Sequence, residues 1–348
     1  MVSVVIPVFN TAPYLHECLD SVLSQTLIDF EAICVDDGSS DNSLAILREY
    51  EAKDSRIKVV AFPKNRGLCE ARNMGIDTAA GDYVYLLDSD DWIDKTYLEE
   101  LYTHAVSTGQ DIVINRNWYL EYEDPSMRKV GELSPFFKKE PSYYEPATLA
   151  ANYFFPVVWC RLYKTSFLRE NNLRFPGLRS AEDVYFTYLT EVLQEKSYIF
   201  SGSFYHFRQR GDSNTKKPSH RWNHMIAYRY LLEEFRSRNI PPASARRFEI
   251  WDLKFKFENE EQYNFAKAYF TDVLPDVKAA SWLYSTCDCY TMMSVISSKN
   301  FKDFKRRNLF GLDRTYKLKV ILHMGWPTKR GILNGGRSLQ SLPHCFSV

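Results

Sequence analysis

Short apolar runs alternate with segments of helical periodicity over the first 115 residues, and this alternation restricts the fold more than any other feature. Each run is short and rich in β-branched or aromatic residues, which predicts a buried strand. The predicted strands are Val2–Val8, Phe30–Val35, Ile57–Ala61, Asp82–Leu87 and Asp111–Asn115. Strands separated by helices need crossover connections, so they form a mostly parallel sheet with helices on both faces. The predicted fold class is therefore α/β.

The spacing of apolar residues predicts a helix between each pair of these strands. Leu15, Cys18, Leu19 and Val22 recur at helical intervals, and Asp41 is a predicted helix cap. Two further helices are predicted over Leu68–Ala79 and about Lys95–Ser107. Farther along, residues 118–146 indicate loops and irregular strands, Tyr198–Arg208 a strand, and the chain from His220 onward is mainly helical in pattern.

Composition excludes several classes of protein. Lys plus Arg and Asp plus Glu number 44 each, so no net charge favours nucleic acid as a partner. Cys287 and Cys289 form a close pair that lacks the second pair of a zinc site, and scattered thiols are typical of a reducing compartment. No basic leader precedes Val2, and no apolar run reaches the roughly 18 residues of a membrane span. We expect a cytoplasmic protein that is neither secreted nor membrane-spanning.

Polar residues follow each of the first four predicted strands. Ligands of parallel sheets bind beyond the carboxyl ends of the strands, so these residues map a predicted site. The segments are Pro7–Asn10, Asp36–Asp41, Lys64–Gly67 and Asp88–Asp91. Packing alone does not require three charged clusters on one rim, and their convergence indicates ligand binding.

Asp88 and Asp90 have the spacing of a metal-binding pair. Residues i and i+2 at a strand end project to the same side, so both carboxylates can face one ligand. Carboxylate oxygens suit Mg²⁺ or Mn²⁺, and such an ion stabilises a diphosphate leaving group. The alternative is a cluster that caps the following helix.

Three other residues of the predicted rim suit a nucleotide. Asp37 could accept a hydrogen bond from a nucleobase, although Asp-Gly-Ser is also ordinary turn chemistry. Arg66 and Arg72 could pair with phosphate or stack on a base, and the alternative for each is a solvated surface charge. A nicotinamide dehydrogenase or a nucleotidyltransferase would need a glycine-rich loop after the first strand, where this chain has Pro7-Val8-Phe9-Asn10.

Five segments in order resemble glycosyltransferase family 2: Val2–Asn10, Val35–Asp41, Asn65–Gly67, Ala71–Ile76 and Leu87–Asp91. The resemblance is strong over residues 1–115 and looser over 116–215. It implies the GT-A fold, an inverting mechanism and a UDP-sugar donor. By position, the resemblance assigns uracil to Asp37, ribose to Asp88 and the metal to Asp90. Pro7, Phe9 and Arg72 would hold the base, and Ser89 belongs to the same substrate-binding segment.

The pair Glu182–Asp183 resembles the family's acidic pair at the start of a helix, where the Asp is the catalytic base. A carboxylate within hydrogen-bond reach of an acceptor hydroxyl can remove its proton, so Asp183 is the predicted base and Glu182 a substrate-binding neighbour. The alternative is an acidic pair that complements the helix dipole.

Three residues near these segments carry weaker expectations. Trp159 could stack on a sugar ring or pack in the core. Arg208 follows aromatic residues, as does a family arginine near the diphosphate. His206 is a candidate metal ligand, and a packed strand histidine is its alternative.

The predicted organisation has a nucleotide-sugar-binding half (1–115), an acceptor-binding half (116–215) and a helical C-terminal extension (216–348). Residues 299–337 mix many Lys and Arg with apolar residues, as in a helix that lies on anionic lipid. A solvated or partner-binding face is the alternative.

The predicted function is transfer of a hexosyl or N-acetylhexosaminyl group from a UDP-sugar to a hydroxyl of a glycan or lipid-linked acceptor in bacterial polysaccharide synthesis. The alternative is a catalytically silent sugar-nucleotide-binding scaffold of a membrane assembly complex.

Overall fold

The computed structural model describes residues 1–132, 140–145, 156–211, 218–240, 259–279 and 298–303. The chain forms two compact units, Met1–Ile240 and Pro241–Val348. The described strands are β1 (Val2–Val8), β2 (Phe30–Asp36), β3 (Ile57–Ala61), β4 (Tyr83–Leu86), β5 (Trp92–Ile93), β6 (Ile112–Asn115), β7 (Asn117–Glu121), β8 (Lys129–Glu132), β9 (Ser142–Tyr144), β10 (Arg161–Lys164), β11 (Ser197–Phe200) and β12 (Tyr205–Arg208). The described helices are α1 (Ala12–Leu23), α2 (Ser43–Lys53), α3 (Leu68–Thr78), α4 (Tyr97–Thr108), α5 (Thr165–Glu170), α6 (Glu182–Leu193), α7 (Pro218–Ser237) and α8 (Glu260–Ala279).

The larger sheet of the first unit confirms the α/β prediction. Within the described residues it has eight strands in the order β3-β2-β1-β4-β10-β6-β11-β9. The strands β3, β2, β1 and β4 are parallel neighbours, as the crossover argument requires. Every residue of β1 is buried, which explains its continuous apolar run. The sheet becomes mixed beyond β4, because β10 lies antiparallel between β4 and β6.

Helix α3 packs very closely on β1. A Cβ atom at Gly75 would lie 2.1 Å from Cγ1 of Val5, so only glycine lets the helix approach the strand this far. The consequence is functional, because α3 also carries Arg72 and Asn73 toward the strand ends.

The predicted single strand Tyr198–Arg208 is wrong, since the chain forms β11 and β12 in two different sheets. Polar side chains of neighbouring elements bind the intervening turn. The Ser203 N–H donates to Glu100 over 2.7 Å, the Phe204 N–H donates to Asp94 over 2.8 Å, and Asn115 donates to the Ser203 carbonyl over 2.7 Å. These bonds replace strand pairing and direct β12 into the smaller sheet, whose order is β5-β12-β7-β8.

Helix α7 belongs to the first unit, although the predicted boundary at residue 216 placed it in the extension. It packs on α6, where the rings of Tyr188 and Tyr228 stack with centroids 6.0 Å apart. Leu231 and Phe235 of α7 are fully buried. The first unit therefore includes this helix and ends at Ile240.

The second unit is helical where it is described. The Tyr263 hydroxyl of α8 donates to the Ser298 carbonyl over 3.0 Å. The predicted membrane-binding segment 299–337 lies outside the described residues except for 299–303. Within the described part of the chain, none of the helices combines the length and the apolar character needed to cross a bilayer.

Candidate active site

Asp37 joins two loops at the carboxyl end of β2. Its buried carboxylate accepts the backbone N–H groups of Arg66 over 2.6 Å and of Gly67 over 2.9 Å. Gly38 follows with φ of +70°, and a Cβ there would lie 2.5 Å from the carbonyl carbon of Lys64. Glycine is therefore required for the close approach of the loops that precede α2 and α3.

Two predicted nucleotide contacts are exposed at this edge of the sheet. Phe9 follows β1 and is 45% exposed. The Arg66 guanidinium lies over the ring of Phe62 at 4.7 Å and 3.7 Å from Glu70. Pro7, by contrast, is buried within β1, so it shapes the strand end from inside.

Arg72 is the centre of a buried ionic cluster. Its guanidinium is 2% exposed and lies against three carboxylates. Nη2 donates to Asp88 over 2.9 Å, while Nη1 donates to Glu182 over 2.9 Å and to Asp183 over 2.6 Å. Arg72 was predicted to hold the base, but both of its terminal nitrogens are engaged by carboxylates. The cluster links the end of β4 to the start of α6.

The pKa values of Arg72, Glu182 and Asp183 are all raised above their usual values, for different reasons. Burial lowers the pKa of Arg72, but the charges of Asp183, Asp88 and Glu182 outweigh it and raise that pKa well above its usual value. Burial, and then the charge of Asp183, raises the pKa of Glu182 to about 7. Burial also raises the pKa of Asp183, against the lowering effect of Arg72. The Glu182 carboxyl can therefore exchange a proton near neutral pH.

The residue before this pair has a strained backbone. Ala181 lies in the left-handed region with φ of +63° and is buried. A non-glycine residue holds this conformation only when its surroundings determine it, and such positions cluster at functional sites.

Asp90 lies beside two arginines from the end of β12. Its Oδ2 is 3.2 Å from Nε of Arg210, and its backbone carbonyl accepts Nε–H of Arg208 over 2.8 Å. The Arg208 guanidinium lies over the rings of Trp92 at 4.5 Å and Tyr14 at 5.0 Å. Burial, and then the charge of Asp88, raises the pKa of Asp90, against the lowering effect of Arg210 and Arg208.

Two other residues of the Asp88–Asp91 segment face the protein interior. Asp91 is buried and accepts the Tyr205 hydroxyl over 2.5 Å and the Arg208 N–H over 2.8 Å. The Ser89 hydroxyl lies 2.9 Å from that of Thr11 and is also buried, so this predicted substrate contact supports the loop instead.

His206 is a packed strand histidine, the alternative to a metal ligand. Nδ1 lies 2.7 Å from Glu121, Nε2 lies 3.0 Å from Asp94, and the ring stacks on Trp92 with centroids 4.8 Å apart. Both ring nitrogens face carboxylates, so the predicted role as a metal ligand does not fit this arrangement.

Trp159 is a core residue. It is 3% exposed, and its ring stacks on Tyr205 with centroids 4.2 Å apart. It also meets Trp118 edge to face at 5.5 Å. No face of the indole is left for a sugar ring, so the packing alternative holds.

No pattern in the sequence assigned an individual role to Arg210, Asn73 or Phe175. Arg210 follows Arg208 by two positions, and strand periodicity from β12 could have placed both on one side. Asn73 and Phe175 lie 102 residues apart, and no local pattern connects them.

The family model for glycosyl transferase family 2 matches residues 3–171, which contain the strand ends described above. The chain is similar to glycosyl transferase family 2 over these residues, which make up just under half of its length. It is 32% identical over 234 residues to the glycosyltransferase GlyA of Streptococcus pneumoniae serotype 4, covering 65% of this chain and 33% of GlyA. It is 32% identical over 210 residues to EpsH of Bacillus subtilis, covering 60% of each protein. The chain thus spans less than two thirds of the length of these two relatives.

The crystal structure of S. aureus TarS residues 1–349 in complex with UDP-GlcNAc has the same fold. The TM-score is 0.69 at 22% sequence identity, and the match covers 90% of this chain and 93% of that one. This similarity confirms the predicted GT-A fold.

Proposed function

We propose that the protein is an inverting, metal-dependent glycosyltransferase. It would move a sugar from a UDP-sugar to a hydroxyl of a glycan or lipid-linked acceptor in one displacement. One observation carries the proposal: Arg72 holds the Asp183 carboxylate beside Asp88 at the carboxyl end of β4. Arg72 and Asp88 lie within residues 3–171, which match the family 2 model.

Asp183 is the proposed base. Its side chain is 22% exposed, so an acceptor hydroxyl can reach it, while the bond to Arg72 fixes its position. The carboxylate would accept the hydroxyl proton as the acceptor oxygen attacks the anomeric carbon from the side opposite the diphosphate. Attack from that side inverts the configuration and needs no covalent sugar–enzyme intermediate.

The donor would bind along the strand ends. Asp37 and the exposed side chains of Phe9 and Arg66 are suited to a base and a phosphate. The complex of the similarly folded TarS with UDP-GlcNAc supports a UDP-sugar as the donor class.

Asp90 is the proposed holder of Mn²⁺ or Mg²⁺. Among the described residues, no group of three or more His, Cys, Asp or Glu side chains is placed to hold a metal ion. An ion held by one or two carboxylates together with substrate phosphates needs no such group, and the charge of Asp88 already acts on Asp90 at this strand end. When bound, such an ion would neutralise the departing diphosphate.

The cellular setting is also a proposal. The protein would act in the cytoplasm, with peripheral contact on the inner face of the membrane through the basic segment 299–337. The composition of that segment supports the contact, and a lipid-linked acceptor would make it useful.

A donor-turnover panel tests the proposed function. Purified protein is incubated with Mn²⁺ and a series of UDP-sugars, with and without a glycan-lipid acceptor extract, and released UDP is measured. We expect turnover of one donor, with loss in EDTA and in Asp90→Ala. The exposed variant Asp77→Asn serves as the matched control. Metal-dependent UDP binding without turnover in any arm would favour the silent scaffold, and no binding at all would contradict a nucleotide-sugar site.

A further inference from the structure

Side chains of helix α3 hydrogen-bond to the segment that precedes Glu182 and Asp183. The side-chain amide of Asn73 donates to the Phe175 carbonyl over 3.0 Å, and its oxygen accepts the Phe175 N–H over 2.9 Å. These two bonds satisfy both backbone groups of one residue and fix its position. One turn earlier in α3, the Cys69 thiol contacts the Leu178 carbonyl at 3.3 Å.

The Phe175 ring also connects this segment to α6 by packing. It stacks on Phe186 with ring centroids 4.0 Å apart and an interplanar angle of 6°. The Arg72 guanidinium lies 5.1 Å from the centre of the same Phe175 ring. A buried arginine between an aromatic face and carboxylates is held in one rotamer.

Arg72 and Asn73 are consecutive residues, so one turn of α3 holds both the acidic pair and the segment before it. The buried guanidinium is bonded to Asp88 on one side and to Glu182 and Asp183 on the other. The close contact at Gly75 fixes α3 on β1. The position of Glu182 and Asp183 therefore depends on how α3 packs against the central strand of the sheet.

We propose that Arg72 and Asn73 form a clasp that positions Asp183 for proton removal, and that Arg72 is not a ligand of the nucleotide. The clasp is defined by Arg72, Asn73 and Phe175. This inference rests on the proposed function, because it assigns the positioning of the proposed base.

A lysine cannot replace Arg72 in this clasp. The fork of the guanidinium bonds Asp88 and Asp183 through different nitrogens, whereas an ammonium presents one point of charge. Arg72→Lys therefore keeps the charge but loosens Asp183. Asn73→Ala keeps every charge and removes only the two bonds to Phe175.

The test compares these variants with Arg174→Ala. Arg174 contacts Asp77 at the exposed end of α3, so this control removes an ion pair between the same two segments outside the clasp. For each protein, we would measure the kcat for transfer, the Kd of UDP by calorimetry and the pH dependence of kcat.

We expect the kcat of Arg72→Lys and Asn73→Ala to fall on the order of ten- to a hundredfold, as a small displacement of a reacting group requires. The UDP Kd should stay within about twofold. In the pH profile of kcat for Arg72→Lys, the fall in rate on the acid side (the acid limb) should move to higher pH. A weaker contact between the cation at position 72 and the Glu182–Asp183 pair raises the pKa of that pair. Arg174→Ala should match the wild type.

The positioning role would be overturned by an Arg72→Lys variant that loses UDP affinity in proportion to kcat with an unmoved acid limb. It would also be overturned by an Asn73→Ala variant that matches Arg174→Ala. Absence of turnover by the wild-type protein is a different result, which overturns the proposed function and the clasp's role together.

Discussion

Two strand ends of the larger sheet hold their carboxylates by different means. At the end of β2, Asp37 is held by backbone N–H groups only 29 and 30 residues away. At the end of β4, Asp88 is held by the side chain of Arg72, 16 residues away, and the same arginine reaches Asp183 of α6 across 111 residues. The Asp90 carbonyl is bonded to Arg208 across 118 residues.

The two strand ends therefore have different tasks: the contacts at β2 determine the shape of the loops, and those at β4 determine the local charge. Neutral backbone donors fix the loop geometry at β2, so changes there should act on nucleotide affinity. Paired charges set proton affinity and cation affinity at β4, so changes there should act on the pH dependence and on metal binding. The predictions for the activity of the Asp37, Glu182 and Arg210 variants test this division.

Asp37→Ala should have the largest effect of the three. Removal of the carboxylate leaves the N–H groups of Arg66 and Gly67 without their acceptor and frees the two loops. The UDP Kd should rise on the order of ten- to a hundredfold, while the acid limb of kcat stays in place. Calorimetry and a pH–rate profile measure both quantities. An acid limb that moved in this variant would contradict the separation of the two strand ends.

Glu182→Gln should shift the pH dependence. The pKa of Glu182 is raised to about 7 by burial and by Asp183, so the pair takes up a proton as the pH falls through about 7 and activity is lost below it. Removing one negative charge lowers the pKa of Asp183, and the acid limb should move down by about one pH unit. A limb that stays near 7 would show that another group sets it.

The same raised pKa affects folding. Because it lies above the usual value of 4.5, the contribution of Glu182 to the free energy of unfolding is full below that pH and is lost as the pH rises through about 7. Chemical denaturation of the wild type and Glu182→Gln should therefore diverge between pH 4.5 and about 7, the span between the two pKa values.

Arg210→Ala should have the smallest effect. The guanidinium lies 3.2 Å from Asp90, so it competes with a metal ion for that carboxylate. Its removal should lower the Kd of Mn²⁺ by about two- to fivefold, the size expected for a partly exposed ion pair. Electron paramagnetic resonance of free Mn²⁺ measures this in the absence of turnover. Weaker Mn²⁺ binding would instead indicate that Arg210 supports the metal site.

The sequence predicted the region around β2 better than the region around β4. Local apolar patterns were enough for β1–β4 and their helices, and the strand-end rule located Asp37, Asp88 and Asp90. The antiparallel insertion of β10 and the break between β11 and β12 depend on distant partners, so periodicity along the chain could not show them.

The same limit applies to individual side chains. Arg72 and Asp183 were both selected, but their bond requires the packed fold. Trp159 and His206 had the right chemistry for ligand binding, and burial beside Tyr205 and Trp92 decided against it. Residue type identifies candidates, while long-range packing determines which of them face a ligand.

The central claim is that Asp183 is the base of a sugar transfer, and Asp183→Asn tests it most directly. The amide keeps the size of the side chain and removes its proton affinity. With the best UDP-sugar at saturation, we predict a fall in kcat of about a thousandfold with the UDP Kd within about twofold of wild type, measured beside Asp77→Asn. Turnover within tenfold of wild type, or a parallel loss of UDP binding, would contradict the account.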